Sequence, residues 1–160
     1  MKKTVSMLFI FVSIIIVFQS FSYAESVVHE LSVSECEEEA RDLPEGEYEE
    51  MGDGIVYIST PGGTSEDDNV PVMYIASNTL IKQIGINAWD FNGSSLSFIY
   101  IDGMLFDKMQ MSNTQSTLTL TSDQLTEGYH NIEVVQYVDD CTENEMITYR
   151  NIKYEIRYTK

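Results

Sequence analysis

The sequence predicts an all-β sandwich of about seven strands, and three observations predict it. From residue 70 to residue 158 the apolar residues fall in short runs or strict alternation, with no sustained helical spacing. Turn residues punctuate these runs about every ten positions. The runs themselves are rich in β-branched and aromatic side chains, which pack well on a pleated surface. A chain of 160 residues that is 43% hydrophobic, with seven Phe and ten Tyr, is too apolar for disorder and long enough for one core.

The first 24 residues read as a secretory signal peptide. Lys2 and Lys3 precede the apolar run 5–18, and a small-residue site ends at Ala24. As a helix that run of 14 residues spans about 21 Å, short of a bilayer core of about 30 Å, so cleavage is expected rather than anchoring. Residues 25–54 form an acidic arm, mobile or holding a short helix over 35–42 that Ser34 and Glu37 would cap and Pro44 would stop. Residues 55–160 are the sandwich, with its core in 70–158. Residues 55–58 (IVYI) read as a strand, followed by the turn Pro61-Gly62-Gly63.

The remaining strands follow in order. Residues 72–76 form one and 80–89 the next, where Ile84, Ile86 and Ala88 alternate with Gly85, Asn87 and Trp89. Asn92-Gly93 turns the chain into 96–101 (LSFIYI), and Asp102-Gly103 is a hairpin signal leading to 104–106. Residues 117–121 (TLTLT) point Leu118 and Leu120 inward, and 129–138 places Ile132 and Val134 on one face. In 146–158 the apolar parity changes from Ile147 and Tyr149 to Ile152, Tyr154 and Ile156, which predicts a bulge near Arg150-Asn151.

The run Phe98-Ile99-Tyr100-Ile101-Asp102-Gly103, then Leu118-Thr119-Leu120, then Leu125-Thr126-Glu127-Gly128-Tyr129-His130-Asn131-Ile132-Glu133-Val134, resembles bacterial immunoglobulin-like domains. The resemblance covers about residues 70–158 and implies an immunoglobulin-like (Ig-like) β-sandwich. It implies no activity, because such sandwiches host many functions. In this frame Leu125, Gly128 and His130 form a structural corner: Leu125 plugs one end, Gly128 permits the tight turn, and His130 faces inward and bonds to backbone.

Charge limits the partners. The chain holds 26 Asp and Glu against 9 Lys and Arg, a formal charge of -17, which becomes -19 once Lys2 and Lys3 leave with the signal. Of this, -14 lies in residues 25–68. Such a chain does not hold nucleic acid by phosphate neutralisation. No further stretch approaches the length of a membrane span, so the mature protein is expected in the periplasm or outside the cell.

Cys36 and Cys141 are the two cysteines. An even count in an oxidising compartment permits one disulfide, closing 106 residues, with two free thiols as the alternative. The acidic loops Glu66-Asp67-Asp68-Asn69 and Asp139-Asp140 with Glu143 and Glu145 offer oxygen ligands for calcium, but neither matches a calcium-binding motif, and solvated loop charge is the plainer reading. No metal-ligand spacing, nucleophile elbow or phosphate loop is present in the sequence, so neither a cofactor nor catalysis is expected. The expected role is non-catalytic binding of a macromolecule, protein or polysaccharide. One alternative is a small carbohydrate-binding module using Trp89, Tyr100, Tyr137 and Tyr149 as an aromatic face. The other is an enzyme whose site carries no recognisable motif.

Overall fold

The computed structural model describes residues 36, 42–80 and 82–159. The signal peptide, most of the expected helix over 35–42 and the first part of the arm lie outside the described residues. What is described is an all-β sandwich of two sheets, as expected. Its strands are β1 (Ile55–Thr60), β2 (Gly63–Thr64), β3 (Val72–Ile75), β4 (Gln83–Trp89), β5 (Leu96–Ile101), β6 (Met104–Gln110), β7 (Thr114–Thr119), β8 (Gly128–Tyr137) and β9 (Met146–Tyr158). One sheet has the order β2-β1-β4-β7 and the other β3-β9-β8-β5-β6. Period-two alternation sends Ile58, Ile84, Ile86, Ala88 and Leu118 of the first sheet against Ile99, Ile101, Ile132, Val134, Tyr154 and Ile156 of the second, and these form one buried core. That core reaches back to Ile58, beyond the expected start at residue 70.

The chain changes sheets between β1 and β3. After β1 it makes a tight turn, and Thr60 Oγ1 donates to the Val72 carbonyl at 2.9 Å, tying the crossing together. A Cβ on Gly62 would collide with that same carbonyl. β3 then pairs parallel with β9, while every other strand pairing is antiparallel. The Asp102-Gly103 hairpin is present, with φ of 52° and 78°, the left-handed pair that a two-residue turn of this hand requires.

The five-stranded sheet is buried on its inner side and on part of its outer side. Its outward-facing Phe98, Tyr100, Val135, Tyr137 and Tyr149 make a second apolar cluster, packed by Leu43 and Tyr48 from the arm. Residues 42–54 are therefore neither free nor helical. They lie extended along the sheet, held by the Leu43 amide to the Gly103 carbonyl at 2.8 Å and by a backbone bridge between Met51 and Tyr149. Arg150 completes the attachment, donating to the carbonyls of Gly54, Met51 and Gly52 at 2.8, 2.7 and 2.8 Å. The physical reason is that Leu43 and Tyr48 are apolar side chains in an otherwise acidic stretch, and the outer sheet face offers them a dry partner.

This cover also corrects the expected bulge. The register between β8 and β9 shifts at Ile147, opposite Gln136 and Tyr137, and not at Arg150-Asn151. Tyr149 is apolar and outward because the arm lies over it, so the change of parity marks where that cover ends and not a break in the strand. Cys36 and Cys141 form a disulfide, with Cα atoms 5.6 Å apart.

Candidate functional site

The outer face of the four-stranded sheet is unlike the rest of the molecule. Not one residue of β1, β2, β4 or β7 is charged, in a chain of -17. By contrast, the five-stranded sheet carries Asp107, Lys108, Glu133, Arg150, Lys153, Glu155 and Arg157. Strand register sets the outer residues of the neutral face in rows. Ile55 stands opposite Trp89; Tyr57, Asn87 and Gln115 form the next row; Ser59, Gly85 and Thr117 the next; and Gln83 with Thr119 the last.

The first two rows hold an aromatic pair. Tyr57 and Trp89 stack with ring centroids 4.8 Å apart and planes 22° from parallel. Both remain half-buried, and Ile55 beside them is 62% exposed. Gln83 Nε2 donates to Thr119 Oγ1 at 3.0 Å. The amides of Asn87 and Gln115 have no protein partner among the described residues, so their donors and acceptors face solvent. Gly85 leaves room for the Ser59 hydroxyl, which occupies the space where a Cβ would stand.

The four aromatic residues expected to share a binding face do not share one. Tyr100, Tyr137 and Tyr149 are buried on the five-stranded sheet under the arm. The Tyr100 and Tyr137 hydroxyls bond each other at 3.2 Å. Burial raises the phenol pKa of both above the usual range and pushes Tyr149 up to about 12. Trp89 is on the opposite sheet, facing outward, and its neighbour is Tyr57. Sequence reasoning passed over Tyr57, Asn87 and Gln115, although the alternation in β4 already put Asn87 beside Trp89 on the side away from Ile84 and Ile86.

Leu125, Gly128 and His130 come together at one end of the sandwich. Leu125 is buried, and Gly128 has φ of 130°, a conformation that side chains rarely adopt. His130 stacks on Tyr154 with centroids 5.0 Å apart. Its Nδ1 meets Asp102 Oδ2 at 2.6 Å, and its Nε2 meets the Thr126 carbonyl at 2.8 Å and Thr126 Oγ1 at 3.3 Å. A carboxylate, an imidazole and a hydroxyl in sequence have the look of a nucleophile relay. Here the ring is enclosed and its Nε2 is occupied by backbone. The clefts of about 870 and 270 Å³ on the surface are lined by other residues.

The acidic loops serve the backbone. Asp67, Asp68, Asp139 and Asp140 all have φ between 55° and 60°, the left-handed region that Asp tolerates better than most side chains. Asp140 Oδ1 also accepts from the Leu96 amide at 2.7 Å. The larger cleft runs along β1, where Ile55 and Tyr57 meet Glu50, Glu66, Asp67 and Asp68 together with Arg150 and Lys153. Arg150 is already committed to three carbonyls of the 51–54 turn.

No family model matches the chain, and no curated protein matches it. Among solved structures it is similar to the fibronectin(III)-like modules of Clostridium thermocellum CbhA, with a TM-score of 0.38 and 15% identity over 66% of this chain and 100% of that one. It is also similar to a Jonesia denitrificans lytic polysaccharide monooxygenase, with a TM-score of 0.33 and 14% identity over 56% of this chain and 58% of that one. Both likenesses are too loose to speak for function, and the fold rests on the two sheets themselves.

Proposed function

We propose that this is a non-catalytic binding module of the bacterial immunoglobulin-like kind. In this reading it works at the cell envelope or beyond and attaches to a macromolecule through the outer face of its four-stranded sheet. One observation carries the reading: a strongly acidic chain keeps all four strands of that sheet free of charged side chains and leaves an aromatic pair and unpartnered amides standing on their outer side. Surfaces shaped only by solubility carry mixed charge. The Cys36–Cys141 disulfide suits an oxidising compartment, in keeping with the signal-like first 24 residues. Among the described residues no helix is long and apolar enough to cross a membrane. The enclosure of His130 supports a structural role for the Asp102–His130–Thr126 set.

The test compares variants of the two sheets for binding to intact cell-envelope preparations. Trp89→Ala and Asn87→Ala are expected to weaken binding. Tyr74→Ala and Tyr129→Ala, at exposed positions of the five-stranded sheet, are expected to leave it unchanged. The reverse pattern moves the binding surface to the other sheet, and turnover of a substrate by the purified protein defeats the non-catalytic reading.

A further inference from the structure

We infer that the neutral face binds an uncharged polysaccharide chain; this rests on the reading of that face as the docking surface and names what it takes. The argument begins with charge. An anionic ligand would approach a molecule of -17 and find no cation on the four strands to pair with. A cationic ligand would find no carboxylate on the strands, and those of Glu66, Asp67 and Asp68 lie to the side, in the cleft that Ile55 and Tyr57 border. What the face offers is ring surface, amides and hydroxyls.

A neutral sugar ring needs that combination. Its C–H faces are apolar and pack on an aromatic ring, and the Tyr57–Trp89 stack supplies one, widened by Ile55. Its hydroxyls each donate and accept, and a side-chain amide does both through adjacent atoms. Asn87 and Gln115 stand side by side in the row that begins with Tyr57, with both functions open. Rows lie about 6.8 Å apart along a strand, so a chain lying along β4 meets Trp89, then Asn87, then the Ser59 hydroxyl over Gly85, then Gln83. A protein partner fits this face less well. A protein interface of standard size buries about 800 Å² per side around an apolar centre. Here the apolar part is three side chains at one end.

The experiment uses the disulfide-intact mature chain and affinity electrophoresis in neutral polysaccharides (a β-glucan, a xylan, a mannan) and acidic ones (alginate, polygalacturonate), at low and high salt. Binding to at least one neutral polymer is expected, unchanged by salt because no ion pair is involved. Trp89→Ala and Tyr57→Ala should weaken it roughly ten-fold or more. Asn87→Ala and Gln115→Ala, at solvent-facing positions, should weaken it several-fold with the thermal melt unchanged. Binding to acidic polymers alone, abolished by salt, overturns the inference. So does neutral-polymer binding that the Trp89 and Asn87 variants retain, which also removes the face as the docking surface. If envelope binding depends on Trp89 but is lost after protease treatment of the envelope and no polysaccharide competes, the face remains the docking surface and the ligand class is wrong.

Discussion

Glu133 stands on the outer side of β8, opposite Tyr100, with carboxylate oxygen Oε2 buried and meeting no partner. Burial pushes its pKa up, a bond from the Gly103 amide pulls it partly back, and Asp102 nearby adds to the rise. A carboxyl raised in the folded state contributes stability in full below its ordinary value of 4.5, and that contribution is lost as the pH rises through the folded value. Glu133→Gln keeps the acceptor for Gly103 and removes the buried charge. The variant is expected to be more stable than the parent at pH 7 by about 1 kcal/mol, and equal to it in mild acid. Urea denaturation at both pH values checks this, and a variant less stable at pH 7 refutes it. At this scale the sequence was partly legible. Asp102-Gly103 announced its turn because a glycine follows the aspartate. The pairs Asp67-Asp68 and Asp139-Asp140 read as solvated loop charge that could also offer oxygen ligands; their left-handed φ values, a further role in turning the chain, were not legible because no glycine marks them.

β9 and the arm must be considered together as elements. Strand positions were readable because Ile84, Ile86, Leu118, Ile132 and Val134 alternate with residues of the other face. The docking of the arm was not readable, because it depends on two apolar side chains, Leu43 and Tyr48, among many acids. Their destination is a surface assembled from three distant strands. Misplacing Tyr100, Tyr137 and Tyr149 followed directly, since period-two alternation says which residues face outward and not what then covers them. The disulfide ties Cys36, ahead of this cover, to Cys141. Cys36→Ser with Cys141→Ser is expected to cost about 2–4 kcal/mol of stability, since the bond closes a long loop. It should also make the stretch just before Leu43 more readily cleaved by protease. Equal melting temperatures for the oxidised parent and the double variant would sink this expectation.

For the whole molecule the two sheets divide the labour. The five-stranded sheet carries charged residues, the aromatic cluster and residues 42–54 of the arm, while the strands of the four-stranded sheet carry no charge and, among the described residues, nothing packs over Asn87 and Gln115. The sequence showed that its acidity was concentrated near the N-terminus, and it showed Trp89 facing away from the core. It could not show that Tyr57 stacks on Trp89 or that Gln115 is level with Asn87, because these are facts of register between strands far apart in the chain.

The bond between Cys36 and Cys141 also decides how the molecule answers a pull. Tension applied ahead of Cys36 and beyond Tyr158 does not run through the span between the two cysteines. It crosses at the sulfur atoms and enters Cys141, just before β9, then follows that strand to its end. β9 is already extended, 13 residues held between β3 and β8, so there is almost no slack to draw out. Everything between the two cysteines is mechanically bypassed. A single molecule stretched in an oxidising buffer should show no unravelling of that span. With reductant present, the same molecule should lengthen by roughly 350 Å when the span gives way, at about 3.5 Å per residue. The disulfide thus makes the domain a short, stiff link whenever its two ends are anchored to different bodies, and the neutral face stays folded under strain.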